Sequence, residues 1–315
     1  MTGVPPFSVH VASWAAVLAA TAGYAALVRS PRHRVAHRQA WCFLAAMGVL
    51  LAAITWPLAD LAADRLLVAL VVQRLLFLLA VPPLLVAGLP RSFVASATRP
   101  AAVDGLARTC SKPVPAIAIV TVIAVGTLSV PVVDAQASSA ALRAALDLLL
   151  AGAGLVLWLP VLQPLPGTRR RSSLGRAGYL VVQSIVPSFL SIVWIFARHP
   201  IYPVYAHRDT VLGLGALADQ ELSGFVAKLT TIAVLWTVAF VTVVHAERMA
   251  EGSDPEPLTW ADVERQLQRV ARRERRGSGP PRDPWGNRSG GDDVGSDDQR
   301  RRRAAGDDAA GGPAP

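Results

Sequence analysis

Arg74 and Asp147 have the strongest claim to chemistry in this chain, because each interrupts a stretch composed for hydrocarbon. Arg74 lies in LLVALVVQRLLFLLAVPPLLVAGL, residues 66–89, directly after Gln73, and Asp147 lies in the apolar run 144–163. A charge at bilayer depth costs at least ~2.5–3.5 kcal/mol on insertion scales, so it needs a partner or a task. Arg143 stands four residues before Asp147, on the same helical face and within reach of an i,i+4 ion pair. At about 1.5 Å of rise per residue, Arg74 sits ~12 Å below the outer start of its helix and Asp147 about one turn into its own. Gln73, Arg74, Arg143 and Asp147 are therefore the expected intramembrane polar site, in the outer third of a helical bundle. An Arg74–Asp147 pair would either lock helix packing or act as a functional pair. For Arg143 the alternative to pairing is snorkelling to the outer surface.

Two further polar groupings stand out. Gln183, Ser184, Ser188 and Ser191 form a stripe at helical spacing around Pro187. Interhelical hydrogen bonding accounts for such a stripe, and the lining of a narrow polar path is the sharper reading. The segment RHPIYPVYAHRDTVLGLGALADQELSG brings His199, Tyr202, Tyr205, His207, Asp209, Asp219 and Glu221 into one connection, expected to be a loop ordered by Pro200 and Pro203. His199, His207 and Asp209 offer nitrogen and oxygen ligands for a divalent metal, but with no His-x-His and no i,i+4 His pair they are weak candidates. Lys228 is placed to pair with Asp219 or Glu221. Cys42 and Cys110 show no paired spacing, and the chain carries no glycine-rich phosphate loop, nucleophile elbow, zinc signature or haem-attachment motif. No catalytic constellation is present, so the expectation is a non-enzyme.

The elements that must position these residues are membrane helices. Apolar residues make up 52% of the 315-residue chain and charged residues 17%, against about a quarter charged in soluble domains. Seven apolar runs, at 11–28, 41–59, 66–89, 114–133, 144–163, 177–197 and 223–244, approach the ~17–25 residues that cross a bilayer. Residues 1–28 hold no Lys or Arg, so the first run reads as a span and not as a cleavable signal. Alternate connections are basic: Arg29, Arg32, Arg34 and Arg38; Arg91, Arg99, Arg108 and Lys112; Arg169, Arg170, Arg171 and Arg176. The others hold only Arg65, Arg143, Arg198 and Arg208. That asymmetry predicts an all-α, multi-pass plasma-membrane bundle of seven helices, N-terminus outside and C-terminus cytoplasmic. The net charge of +9 resides in those loops, which points to anionic lipid and not to nucleic acid.

The expected organisation is a transmembrane domain over 1–245, a cytoplasmic amphipathic helix over 246–276 and a charged, disordered tail over 277–315. Trp260, Val263, Leu267 and Val270 form one apolar stripe of that helix, with Arg265, Arg269, Arg272 and Arg273 elsewhere on its surface. The tail has almost nothing to bury. Pro82-Pro83 and Pro187 predict kinks packed inside the bundle, and Gly152 and Gly154 predict close helix approach.

The stretches DRLLVALVVQRLLFLLAVPPLLVAGLP, WLPVLQPLP, HPIYPVY and LGALADQELSGFVAKL resemble the CtaG-type (caa3-type) cytochrome c oxidase assembly proteins of bacteria, from about residue 14 to 267. The resemblance implies an integral membrane factor that helps mature a haem–copper oxidase, with oxidase subunits as partners and copper handled on the outer side. It also implies histidine pairs in the third and fifth spans, at positions that here hold Leu70, Arg74, Arg143 and Asp147. Two imidazole pairs are a credible copper site. Leucine, two guanidinium groups and one carboxylate are not, since Arg has no lone pair to donate. Copper is thus the cofactor of the resembled family, while the ligand histidines for it are absent from this bundle. The competing expectation is a small transport or permeation protein, with Arg74, Asp147, Lys228 and the Gln183–Ser191 stripe lining a path for an anion or proton.

Overall fold

The computed structural model describes residue 8 and residues 10–30, 35–164, 172–206, 213–251, 264 and 267–269. The long helices follow the apolar runs, and most end at Gly, Pro or hydroxyl-bearing joints. The order is α1 (Val11–Arg29), α2 (His37–Ile54), α3 (Leu58–Asp64), α4 (Leu67–Leu75), a π-helical turn (Leu76–Ala80), α5 (Val81–Gly88), α6 (Arg91–Ala97), α7 (Ala101–Cys110), α8 (Pro113–Gly126), α9 (Val130–Ser138), α10 (Ala140–Leu162), α11 (Ser173–Phe196), α12 (Pro203–Ala206) and α13 (Ala216–Glu251). Among the described residues, 6 helical stretches are long and apolar enough to cross a membrane, and no strand is present. Helices α7 and α8 qualify together but meet at 88°.

Four expected runs change shape, and the simplest case is 41–59, which breaks between Ile54 and Leu58 into α2 and α3. The run 114–133 is not continuous: α8 stops at Gly126 and α9 starts at Val130. Thr127 and Ser129 turn their hydroxyls back onto Ala124 O (3.1 Å) and Gly126 O (2.8 Å), and Pro131 can sit only in the first turn of a new helix. With 14 residues, α8 rises ~21 Å, short of the ~30 Å hydrocarbon layer. The last run is longer than expected, because LADQELSG is helical and not loop. Asp219 and Glu221 therefore sit in the opening turns of α13, where carboxylates favour the positive helix end. The same helix carries on past residue 245 to Glu251.

The third run is helical through Pro82-Pro83, but only because the backbone widens into the π turn just before them. Proline nitrogen cannot bond the carbonyl four residues back, and the Leu78 carbonyl freed by Pro82 is taken up by Trp158 Nε1 at 3.0 Å. Gly154 makes this approach fit: a Cβ there would lie 2.5 Å from both Phe77 O and Pro82 Cγ. Gly152, by contrast, faces open space. Pro187 is accommodated inside an unbroken α11.

Leu67–Gly88 is the innermost span, with 56% of its window buried, whereas α1 has 11%. The inner span packs against α2, α3, α10 and α13. At one end of α1 and α2, Tyr24 stacks on Phe43 (3.8 Å) and donates to Gly88 O at 2.9 Å. The chain divides into two units, Met1–Ser253 and Asp254–Pro315. In the second, Glu264 and residues 267–269 are helical and Leu267 is exposed. Trp260, Val263, Arg265, Val270, Arg272, Arg273 and the tail 277–315 lie outside the described residues.

Candidate functional site

Arg74 is buried, at 4% exposure, and its partner is not Asp147. It donates through Nη1 to Thr127 O (2.6 Å) and Thr127 Oγ1 (3.4 Å), and through Nη2 to Gln136 Oε1 (3.1 Å). The break in α8 supplies these acceptors. A helix leaves its last carbonyls unbonded and its C-terminus partially negative, so a cation at Thr127 satisfies both. The next carbonyl, Leu128 O, accepts from the Tyr202 hydroxyl at 2.7 Å. Arg143 repeats the device one helix later. Its Nη1 donates to Gln136 O (2.7 Å) and Ala137 O (3.1 Å), in the last turn of α9.

The expected ion pairs are thereby corrected. Among the described residues, neither Arg74 nor Arg143 lies within 4.0 Å of the Asp147 carboxylate. Both guanidinium groups are drawn to backbone carbonyls that the breaks around α9 expose. Gln136 links them: it accepts from Arg74 with its side chain and from Arg143 with its backbone, while its buried Nε2 finds no acceptor. Gln73 faces the other way and donates to Ala53 O at 2.8 Å.

Asp147 lines a cavity of about 630 Å³ together with Leu70, Gln73, Gln136, Arg143, His10 and Asp60. Leu50, Ile54, Phe77 and Leu148 give it apolar walls. His10 and Asp60 were not singled out in the sequence. His10 Nε2 lies 3.1 Å from Asp60 Oδ1, Ser8 Oγ lies 3.0 Å from the same nitrogen, and Ser8 donates to Asp60 Oδ2. A histidine just before the first span and an aspartate in the joint between α2 and α4 were the available signals. Of the four positions Leu70, Arg74, Arg143 and Asp147, three border this cavity, and Arg74 lies beyond Gln136. Arg74 instead borders a second cavity of about 80 Å³ with Gln183, Ser191 and Thr231. Gln183 Oε1 is unbonded there. The hydroxyls of Ser184, Ser188 and Ser191 donate to carbonyls of their own helix, at Val181, Ser184 and Pro187.

The second constellation joins segments far apart in sequence. The Asp219 carboxylate accepts from Leu67 N (2.6 Å) and Val68 N (3.1 Å), capping the start of the helix that carries Arg74. Gln220 accepts from Ile201 N (2.7 Å) and donates to Trp194 O (3.4 Å). The Tyr205 hydroxyl donates to Ala62 O at 2.8 Å. Tyr202 sits edge-on between Trp194 and Tyr205. Burial pushes the Tyr202 and Tyr205 phenols above their ordinary range, so both remain neutral donors at physiological pH. Lys228 forms no ion pair with Asp219 or Glu221. His199 is exposed, while His207 and Asp209 lie outside the described residues. Among the described residues, no three His, Cys, Asp or Glu side chains converge as a metal site.

A family model described as cytochrome c oxidase caa3 assembly factor matches residues 22–248. No curated protein and no solved structure matches the chain.

Proposed function

We propose, given that the chain belongs to the cytochrome c oxidase caa3 assembly factor family, that it is a non-enzymatic plasma-membrane factor that engages oxidase subunits during maturation without holding copper in its own bundle. The basic-loop asymmetry supports an outer N-terminus and a cytoplasmic C-terminus, with the short α8 counted as a seventh span beside the 6 long apolar helices.

One observation carries the copper-free reading. The guanidinium of Arg74 fills its position with a fixed positive charge, held by Thr127 and Gln136. The four positions Leu70, Arg74, Arg143 and Asp147 do not fit copper: Leu70 has no donor atom, the two arginines have no lone pair, and Asp147 is the one carboxylate among them. His10 and Asp60 border the same cavity but are bonded to each other at 3.1 Å. The family match over residues 22–248 beside non-histidine residues at positions 70, 74, 143 and 147 favours a scaffold or a specialised paralogue. The permeation reading draws less support, since Arg74 is tied to three acceptors and the α11 serines donate to their own backbone.

Deletion of the gene tests the assembly role. Membranes from the deletion strain are expected to show reduced oxidase haem and copper per milligram of protein, restored by the full chain. Unchanged oxidase spectra and copper content, in a strain with no histidine-bearing homologue, would overturn it.

A further inference from the structure

Helix α7 stands at 88° to α8, joined to it by Ser111 and Lys112 alone. A helix perpendicular to a membrane-crossing neighbour lies close to the plane of the membrane. Its sequence, AAVDGLARTC, places Val103, Leu106 and Cys110 on one stripe at i, i+3 and i+7, with Asp104 and Arg108 on the other side. Cys110 is buried against the protein, but Val103 is 44% and Leu106 66% exposed. The stripe leads on to Val114 at the start of α8, itself 76% exposed. The protein therefore covers only one end of an apolar face that continues into lipid-facing surface.

Charge surrounds that face. From Arg91 to Lys112 the sequence has four basic residues and one acidic residue, Asp104. Asp104 is bonded to Arg108 at 2.6 Å. Arg91, Arg99 and Lys112 are exposed and form no ion pair among the described residues. The contact of Tyr24 with Gly88 O sets this segment at the end of α1 and α2 that also presents exposed Arg29 and Arg38.

We propose that α7 is an in-plane membrane anchor which, with the basic residues flanking it, binds anionic phospholipid headgroups. Val103 and Leu106 enter the acyl boundary, and Arg91, Arg99 and Lys112 meet the phosphates above it. A soluble acidic protein would satisfy the cations but leave the apolar stripe in water. The inference does not depend on the oxidase role.

The test uses the full chain in vesicles of phosphatidylcholine with or without phosphatidylglycerol. In a Cys42→Ala, Cys110→Ala background, a nitroxide on Leu106→Cys should be reached by oxygen and shielded from a water-soluble nickel chelate, while one on Gly105→Cys should be reached by the chelate. Equal chelate access at both sites would overturn the in-plane arrangement. Independently, the cysteine-intact protein should retain phosphatidylglycerol through purification. The Arg91→Gln, Arg99→Gln, Lys112→Gln variant should lose it, with affinity falling roughly five-fold for each basic side chain removed. Unchanged retention in that variant, or displacement of the lipid by inorganic phosphate alone, would overturn headgroup recognition.

Discussion

Two aspartates at comparable positions in the molecule meet opposite fates. Asp219 accepts two backbone N–H groups at the start of α4 and is 2% exposed. Asp147, about two turns into α10, accepts from no described residue and faces a cavity of about 630 Å³. Asp219 ties α13 to the innermost span. Asp147 makes no hydrogen bond among the described residues, and the guanidinium groups expected to hold it donate at helix ends. The difference shows that a charge in an apolar helix can be structural through backbone alone, with no counter-charge. A neighbouring carboxylate can then go without a hydrogen bond, as Asp147 does among the described residues.

The comparison breaks most readily at Asp219. Asp219→Ala leaves the Leu67 and Val68 N–H groups buried without an acceptor, and the expected loss is about 3–5 kcal/mol, read as a large fall in the detergent unfolding midpoint. Asp219→Asn, which keeps one acceptor, should lose less. Arg74→Ala should cost about 3 kcal/mol, because it strands Thr127 O and Gln136 Oε1. An unfolding midpoint equal to wild type would refute the capping role. Gly154→Ala drives a methyl group into Phe77 O and Pro82 and should cost about 1–3 kcal/mol. Gly152→Ala meets nothing and should be neutral or stabilising by up to ~1 kcal/mol. Asp147→Asn removes no hydrogen bond to the protein, so stability should stay within about 0.5 kcal/mol. A fall as large as that of Asp219→Ala would erase the distinction between the two residues.

Much of this was legible in the sequence, and the remainder has a common physical reason. Apolar runs gave most of the spans, since burial in lipid requires long uninterrupted hydrophobic helices. Arg74 and Asp147 stood out as polar residues in those runs. Their partners did not, because apart from the Thr127 hydroxyl and the Gln136 amide the acceptors for Arg74 and Arg143 are main-chain carbonyls, present at every residue and free only where a helix breaks. The break at Thr127–Ser129 lies inside a run of apolar composition, and only Pro131 and the flanking hydroxyls hinted at it. Trp158 meeting Leu78 O, and Asp219 meeting Leu67 across 152 positions, are set by tertiary packing that local patterns do not encode. Gly154 is the packing device its sequence context suggests, whereas Gly152 meets nothing, Pro187 sits inside an unbroken α11, and the π turn before Pro82 leaves no local signature. His10 and Asp60 passed unnoticed because each is an ordinary polar residue at the edge of an apolar run.

The most direct test of the central claim is the copper content of the purified full chain after loading with cuprous ion and removal of loosely held metal. With Arg74 fixed against Thr127 and Gln136, far less than one copper per chain should remain, and Asp147→Asn should leave that value unchanged. One copper per chain, lost in the Asp147→Asn variant, would contradict the account.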